Sequence, residues 1–246
     1  MHRFYLPRRI ERGATVAFSA EQSAQIARVL RLQRGERVEV FDGHGAIARV
    51  TLTVLSPRGV AGTVEETECV PWPLAVQPLL YLALIRPQRF GWAVEKAVEL
   101  GVRAIQPLVT ARTQHGDRET GAAKLARWRA IAAEAAEQCG SAYVPEVGEP
   151  QAFAEALRRP AALRLLSHTS PVEARETIAD VVATTALPTD AAVAMYIGPE
   201  GGFTTEEVAL ARAAGCRIVV LGPFVQRSET AALSALAQLV GALERR

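Results

Sequence analysis

Two textures in one chain predict an α/β protein with a small N-terminal β-barrel followed by a larger layer structure of parallel strands and helices. Residues 13–70 are short β-rich runs broken by turn residues, whereas residues 74–246 alternate apolar strands with helical segments. Prolines at 71, 73 and 78 fall between the two textures and interrupt any regular element there. The chain therefore divides into 1–70 and 74–246.

In the first part, Ser19 to Leu30 carries Ile26, Val29 and Leu30 at helical spacing, with Ser19 available as the cap. ERVEVFDGHGAIARVTLTVL then holds two alternating strands around Asp42-Gly43-His44-Gly45, a strong hairpin signal. A further strand, GVAGTVEET, follows the Pro57-Arg58-Gly59 turn. In the second part, Leu79 to Ile85 is a buried strand, Trp92 to Leu100 a helix stopped by Gly101, and VRAIQPLV another strand. Lys124 to Gln138 is an alanine-rich helix ended by Gly140, and AALRLLS and AAVAMYIG are strands. Thr204 to Ala214 opens on a Thr-x-x-Glu capping box (Thr204, Glu207) and closes at Gly215. RIVVLG is the last strand, leading through PFVQRSE into a final helix.

Composition narrows the function. The 246 residues carry a net charge of +2, unevenly spread: ten Arg face five acids in residues 1–60, and the remainder is net acidic. A polyanion therefore belongs at the N-terminal end. Only Lys96 and Lys124 among the basic residues are lysines; arginine is the better bidentate phosphate ligand, although a GC-rich genome would give the same bias. Apolar stretches such as Leu79 to Ile85 and Leu233 to Leu243 are too short or too interrupted for a bilayer, which takes roughly 20 residues. The opening MHRFYLPRRIERG has no apolar h-region, so the expected compartment is the cytoplasm. Cys69, Cys139 and Cys216 are odd in number and without C-x-x-C spacing, which argues for packing residues over a disulfide framework or zinc site. His2, His44, His115 and His168 share no ligand spacing, so no metal is expected. Trp72, Trp92 and Trp128 read as packing residues, and Phe4 and Tyr5 beside Arg3 as the better stacking candidates for a base.

Two strand ends carry the chemistry. The first, Tyr196-Ile197-Gly198-Pro199-Glu200-Gly201-Gly202-Phe203, runs from an apolar strand through three glycines into a capped helix. Glycines there let a ligand approach the backbone, and ligands of open α/β sheets bind at that edge. The spacing is neither G-x-G-x-x-G nor G-K-[ST], which excludes the usual dinucleotide and P-loop readings. The second, Leu221-Gly222-Pro223-Phe224-Val225-Gln226-Arg227-Ser228-Glu229-Thr230-Ala231, delivers a Gly-Pro loop into the last helix, with Ser228 or Thr230 as N-cap. Taken singly, a tight turn, a solvated cation at Arg227 and a first-turn helix stabiliser at Glu229 would account for these residues. Those accounts leave unexplained why two such strand ends occur together.

IGPEGGFTTEE followed by LGPFVQRSETAALSAL, with AVEKAVELGVRAIQPL and KLARWRAIAAEAAEQCG upstream, resembles the RsmE family of small-subunit ribosomal RNA uridine N3-methyltransferases, in the SPOUT superfamily. RFYLP and RVLRLQRGERVEVFDG resemble that family's opening domain, so the likeness covers nearly the whole chain. The resemblance implies a PUA-like RNA-binding barrel at 1–70 and a SPOUT domain with a deep trefoil knot at 74–246, a topology periodicity cannot reveal. It implies S-adenosylmethionine held by three loops: the one after Leu165-Leu166, with Leu166 and His168; the Ile197 to Gly202 turn, with Ile197, Gly198 and Gly202; and Leu221 to Ala231, with Leu221, Gly222, Val225, Ser228, Thr230 and Ala231. It implies a homodimer acting on 16S ribosomal RNA or the 30S subunit, gripped through Arg3, Arg8, Arg9, Arg28 and Arg31. Arg227 is then the cation for the charge that develops on the base, and Glu229 its orienter or the proton acceptor, with Glu200 a further candidate. The chain departs from the family pattern at Gly140-Ser141-Ala142-Tyr143, where an Arg is common, and at Phe224 and Gln226, where Arg and Leu are usual. A knotted methyltransferase with another RNA target and a cofactor-binding assembly factor without methyl transfer are the alternatives.

Overall fold

The computed structural model describes residues 1–56, 59–114, 121–168 and 176–244, so His115 and part of the Pro57-Arg58-Gly59 turn lie outside the described residues. The chain forms two compact units. One is Met1–Trp72 with Ala136–Val144, and the other is Pro73–Ala135 with Pro145–Arg246.

In the first unit, strands β1 (Arg3–Tyr5), β2 (Thr15–Ala17), β3 (Arg37–Phe41), β4 (Ala46–Ser56) and β5 (Gly59–Cys69) form one sheet in the order β1-β3-β4-β5-β2. The foreseen hairpin is β3–β4, antiparallel. Asp42 closes it through one side-chain oxygen that accepts from the backbone of His44 (2.7 Å) and Ala46 (3.0 Å). Gly43 and Gly45 sit at φ +82° and +106°, where a side chain would be strained. Alternate residues of the strands, including Val38, Val40, Val50 and Leu52, point into one core with Phe4 and Ile26. Helix α1 (Ala20–Ala24) is capped by Ser19, as its sequence predicts; the cap forms a box with Gln22, and the helix continues as a π-helical turn over Gln25–Val29. The unit is completed from far along the chain: Glu137 accepts from the Tyr5 backbone at 2.5 Å, and the Tyr143 hydroxyl donates to the Val70 carbonyl at 2.8 Å.

In the second unit, all strand pairs are parallel. β6 (Val76–Ala83), β7 (Ala104–Val109), β8 (Glu146–Val147), β10 (Leu163–Ser167), β11 (Ala191–Ile197) and β12 (Arg217–Val219) run in the order β12-β10-β11-β6-β7-β8, and β9 (Gln151–Ala152) pairs with β7. Near-continuous burial of β6 and β11 reflects a sheet covered on both faces. The helices are α2 (Pro87–Glu99), α3 (Ala122–Cys139, its last turn from Ala136 counted with the first unit), α4 (Phe153–Ala156), α5 (Ile178–Thr184), α6 (Thr205–Ala213) and α7 (Ser228–Leu243). Helix α2 begins earlier than its apolar spacing suggests, because Pro87 occupies the first helical position. Thr204 and Glu207 form the expected capping box at α6. The expected cap of α7 is corrected: Arg227 is the N-cap residue, without a side-chain cap bond, and Ser228 is buried inside the first turn. Tyr81 stacks on Tyr196 with centroids 4.6 Å apart, and Phe153 lies 4.9 Å from Phe203, directly beneath the first glycine turn. No helix among the described residues is long and apolar enough to cross a membrane.

Candidate active site

Strand order makes the site. Because β12, β10 and β11 are neighbours and parallel, their carboxyl ends bring Val219, Ser167 and Ile197 to one edge of the sheet. The loops leaving that edge enclose a cleft of about 240 Å³, with Ser167 and His168 on one side, Ile197 to Phe203 on another, and Val220 to Gly222 with Phe224 to Gln226 on the third. Ser228 and Ala231, in the first turn of α7, complete it.

The first glycine turn is shaped by close packing. Gly202 lies at φ +68° and its N–H donates to the Pro199 carbonyl at 2.8 Å, closing the turn. A Cβ on Gly198 would meet the Phe203 ring at 3.2 Å, so only glycine fits there without a shift. Arg112, on the loop after β7, donates to the Gly201 carbonyl at 2.5 Å and lines the cleft. Its loop is fixed in turn by Thr113, whose hydroxyl accepts from the Thr110 backbone at 3.0 Å, and by Glu207, which accepts from the Ala111 N–H at 2.8 Å. On the other wall, the His168 N–H donates to the Val219 carbonyl at 3.1 Å, and Gln238 of α7 donates to the Leu221 carbonyl at 3.0 Å.

Most of the residues implied for cofactor binding meet here: His168, Ile197, Gly198, Gly202, Leu221, Gly222, Val225, Ser228 and Ala231 line the cleft. Leu166 is fully buried in β10, one residue short of the lining. Thr230 instead lines a neighbouring chamber together with Arg227 and Glu229. Arg227 is exposed, whereas Glu229 is only 7% exposed and faces Arg89 of α2, Oε1 to Nε 3.7 Å. Arg89 also reaches Glu200, Nη1 to Oε1 3.4 Å, and so links the glycine turn to the start of α7. Sequence reasoning did not find Arg89, Arg112 or Ser167. Neither arginine sits in a motif, and only the pairing of distant segments brings them to the site.

Among the arginines implied for RNA, Arg8, Arg9, Arg28 and Arg31 are exposed. Arg3 is not: it pairs with Glu39 at 3.1 Å, lies 4.5 Å above the Phe41 ring and donates to the Gly140 carbonyl. Phe4, a stacking candidate, is corrected to a core residue at 1% exposure, and Tyr5 is half-buried beside Phe41. Trp128 packs on Phe90, whereas Trp92, expected to pack, is 45% exposed. Among the described residues no cluster of His, Cys, Asp and Glu could hold a metal ion.

Residues 72–240 match the RNA methyltransferase domain family and residues 26–65 the RNA methyltransferase PUA domain family. Ribosomal RNA small subunit methyltransferase E of Synechocystis sp. is 36% identical over 240 residues, covering 94% of this chain and 74% of that protein. The protein of the same name in Mycobacterium bovis is 32% identical, covering 95% and 88%. Among solved structures, a Legionella pneumophila protein with bound cofactor SAM superposes with a TM-score of 0.85 at 30% identity, covering 98% of this chain and 97% of that one. The ribosomal RNA small subunit methyltransferase E of Neisseria gonorrhoeae, bound to S-adenosyl methionine, gives 0.80 at 31% identity, covering 96% and 95%. With the cleft, its glycine turn and both halves of the chain matched together, this protein belongs to the ribosomal RNA small subunit methyltransferase E family.

Proposed function

We propose that this protein is an S-adenosylmethionine-dependent methyltransferase that modifies N3 of a uridine in 16S ribosomal RNA. The observation that carries the proposal is the cleft at three adjacent strand ends, whose walls are loops that include Gly198, Gly201, Gly202 and Gly222. Such walls suit a ligand with an adenine, a ribose and an amino acid part, since each can bond to backbone N–H and C=O groups. The cradle left by Gly198 and the polar side chains of Ser167, His168, Ser228 and Arg112 fit that donor set. When bound, S-adenosylmethionine supplies an electrophilic methyl group and leaves as a neutral thioether. The protein's own residues then align the base, exclude water and manage a proton. Arg227 offsets the negative charge left on the base, and Glu229 orients it or accepts the proton.

The exposed Arg8, Arg9, Arg28 and Arg31 grip RNA phosphates, and Arg3 is held by Glu39, Phe41 and Gly140. The five-stranded sheet closes as a PUA-like barrel, a reading supported by the PUA match. The second unit carries the deep trefoil knot, supported by the place of β12 outside β10 and the packing of α7 on both α2 and α5. The molecule works in the cytoplasm as a homodimer.

Labelled S-adenosylmethionine incubated with unmodified 30S particles or naked 16S RNA tests the proposal. N3-methyluridine after digestion is the expected product. Another methylated nucleoside points to a different RNA target, and cofactor binding without product to an assembly factor.

A further inference from the structure

Beside the cofactor cleft lies a second chamber of about 640 Å³. Arg89 and Trp92 of α2 form one wall, Arg227, Glu229 and Thr230 the other, and Val225 and Gln226 are shared with the cleft. Its chemistry is unusual for a surface hollow. Glutamate is rarely buried unless fully paired, yet Glu229 is 7% exposed and its Oε2 has no hydrogen-bond partner among the described residues. A side chain that served only the helix macrodipole would gain nothing from such burial. The second shared residue repeats the pattern, since the Gln226 Oε1 is also buried without a donor. Two acceptors without donors, next to a half-exposed indole, call for a flat ligand with an N–H on its edge.

We propose that this chamber receives the target nucleobase, with Trp92 stacked on its ring and Glu229 accepting the N3–H of a uracil. The inference rests on the methyltransferase reading above and names the subsite and the basis of base choice. The terminal torsion of glutamate is soft, so a small turn presents Oε2 to the chamber. A uracil offers a donor at N3, which a carboxylate accepts, whereas a cytosine offers a lone pair there and is repelled. The Gln226 amide can turn its Nε2 toward a carbonyl of the base. For the proton step, the N3–H bond breaks toward Oε2, the electron pair stays on N3, and the carboxylate becomes a neutral carboxyl. Arg89 and Arg227 face the resulting imide anion. Arg89 acts as a positioning residue, because it holds Glu229 and Glu200 together.

The test follows tryptophan emission of the full-length, cofactor-free protein during titration with short oligouridylate or oligocytidylate. Quenching by oligouridylate, weaker quenching by oligocytidylate and loss of the signal in Trp92→Phe are expected. Trp92→Ala should weaken oligouridylate binding roughly 5- to 150-fold, the range for one stacked base. Glu229→Gln should abolish the preference for uracil while keeping the quench. Equal quenching by the two oligonucleotides, or a preference that survives Glu229→Gln, overturns the proposal. On unmodified 30S particles, Glu229→Gln should lower kcat by about 10²–10⁴-fold with cofactor affinity by calorimetry unchanged. Arg89→Ala should lower kcat in parallel, partly rescued by Arg89→Lys. A wild-type protein that forms no product defeats the methyltransferase reading itself. A wild-type protein that is active, with Glu229→Gln equally active, defeats only the chamber.

Discussion

Replacing Gly198 by Ala tests whether the first glycine turn is a cradle set by close packing. The added Cβ would lie 3.2 Å from two carbons of the Phe203 ring and 3.3 Å from the carbonyl carbon of Gly202, inside ordinary van der Waals contact. The ring has little room to retreat: Phe203 is 2% exposed and packed against Phe153. Overpacking a core by one methyl group costs about 1–3 kcal/mol. If the turn shifts to relieve the clash, the cost falls on the cofactor, and its Kd rises roughly 5- to 150-fold. If the turn holds, the cost falls on folding, and Tm drops by about 2–12 °C. Calorimetric titration with S-adenosylmethionine and thermal unfolding of the same preparation read the two outlets, and together they should account for the full cost. Wild-type affinity combined with wild-type Tm would refute the cradle. Gly202→Ala is the complementary variant: it meets open space, and its penalty comes only from φ +68°.

Three other outcomes are expected. Arg227→Ala should reduce turnover by about 10²–10³-fold with little change in cofactor affinity, because Arg227 lines the chamber and not the cleft; equal losses in both would move it into cofactor binding. Arg112→Ala frees the Gly201 carbonyl and should raise the cofactor Kd roughly tenfold, the effect of about one charged hydrogen bond at an exposed site. A calorimetric Kd equal to wild type would make the contact incidental. Burial pushes the Cys216 thiol up to about 11, whereas Cys69 and Cys139 are exposed. Iodoacetamide at about pH 8 should therefore label the two exposed cysteines and spare Cys216 in the folded protein, by mass spectrometry. A raised folded-state value also means that the stability Cys216 contributes is complete below its ordinary range and is lost as pH climbs from 9 toward 11.

What the sequence disclosed follows from how local each signal is. The Thr204–Glu207 capping box, the Asp42 hairpin and the glycine stops after Leu100 and Cys139 depend on residues a few positions apart, so spacing alone reveals them. The cap of α7 is misread because Ser228 and Thr230 are both good capping residues within one turn, whereas burial of Ser228, a tertiary fact, leaves Arg227 at the cap position. Arg89 and Arg112 were illegible for a stronger reason: each meets its partner across roughly ninety to one hundred and forty residues, a pairing no periodicity encodes. Residues Ala136–Val144 join the first unit for the same kind of reason, through Glu137 and Tyr143. Arg3 shows the limit of charge counting, since a guanidinium already occupied by Glu39, Phe41 and Gly140 is a brace before it is a phosphate ligand.

The two hollows differ in what they are made of, and that difference decides what a substitution does in each. The cleft is built from loops at the ends of β10, β11 and β12, so its shape depends on strand order and on the glycines of those loops. The chamber is made of side chains from α2 and the start of α7, so each substitution there changes what it recognises. Phe224, 82% exposed, sets an aromatic face at the rim of the cleft. An aromatic face there stacks on a base without adding charge, so it contributes nothing to the salt dependence of RNA binding. Phe224→Arg should therefore steepen the dependence of RNA affinity on salt by about one unit of log–log slope while leaving the cofactor Kd alone. An unchanged slope in filter-binding titrations would mean that position 224 never approaches the RNA backbone.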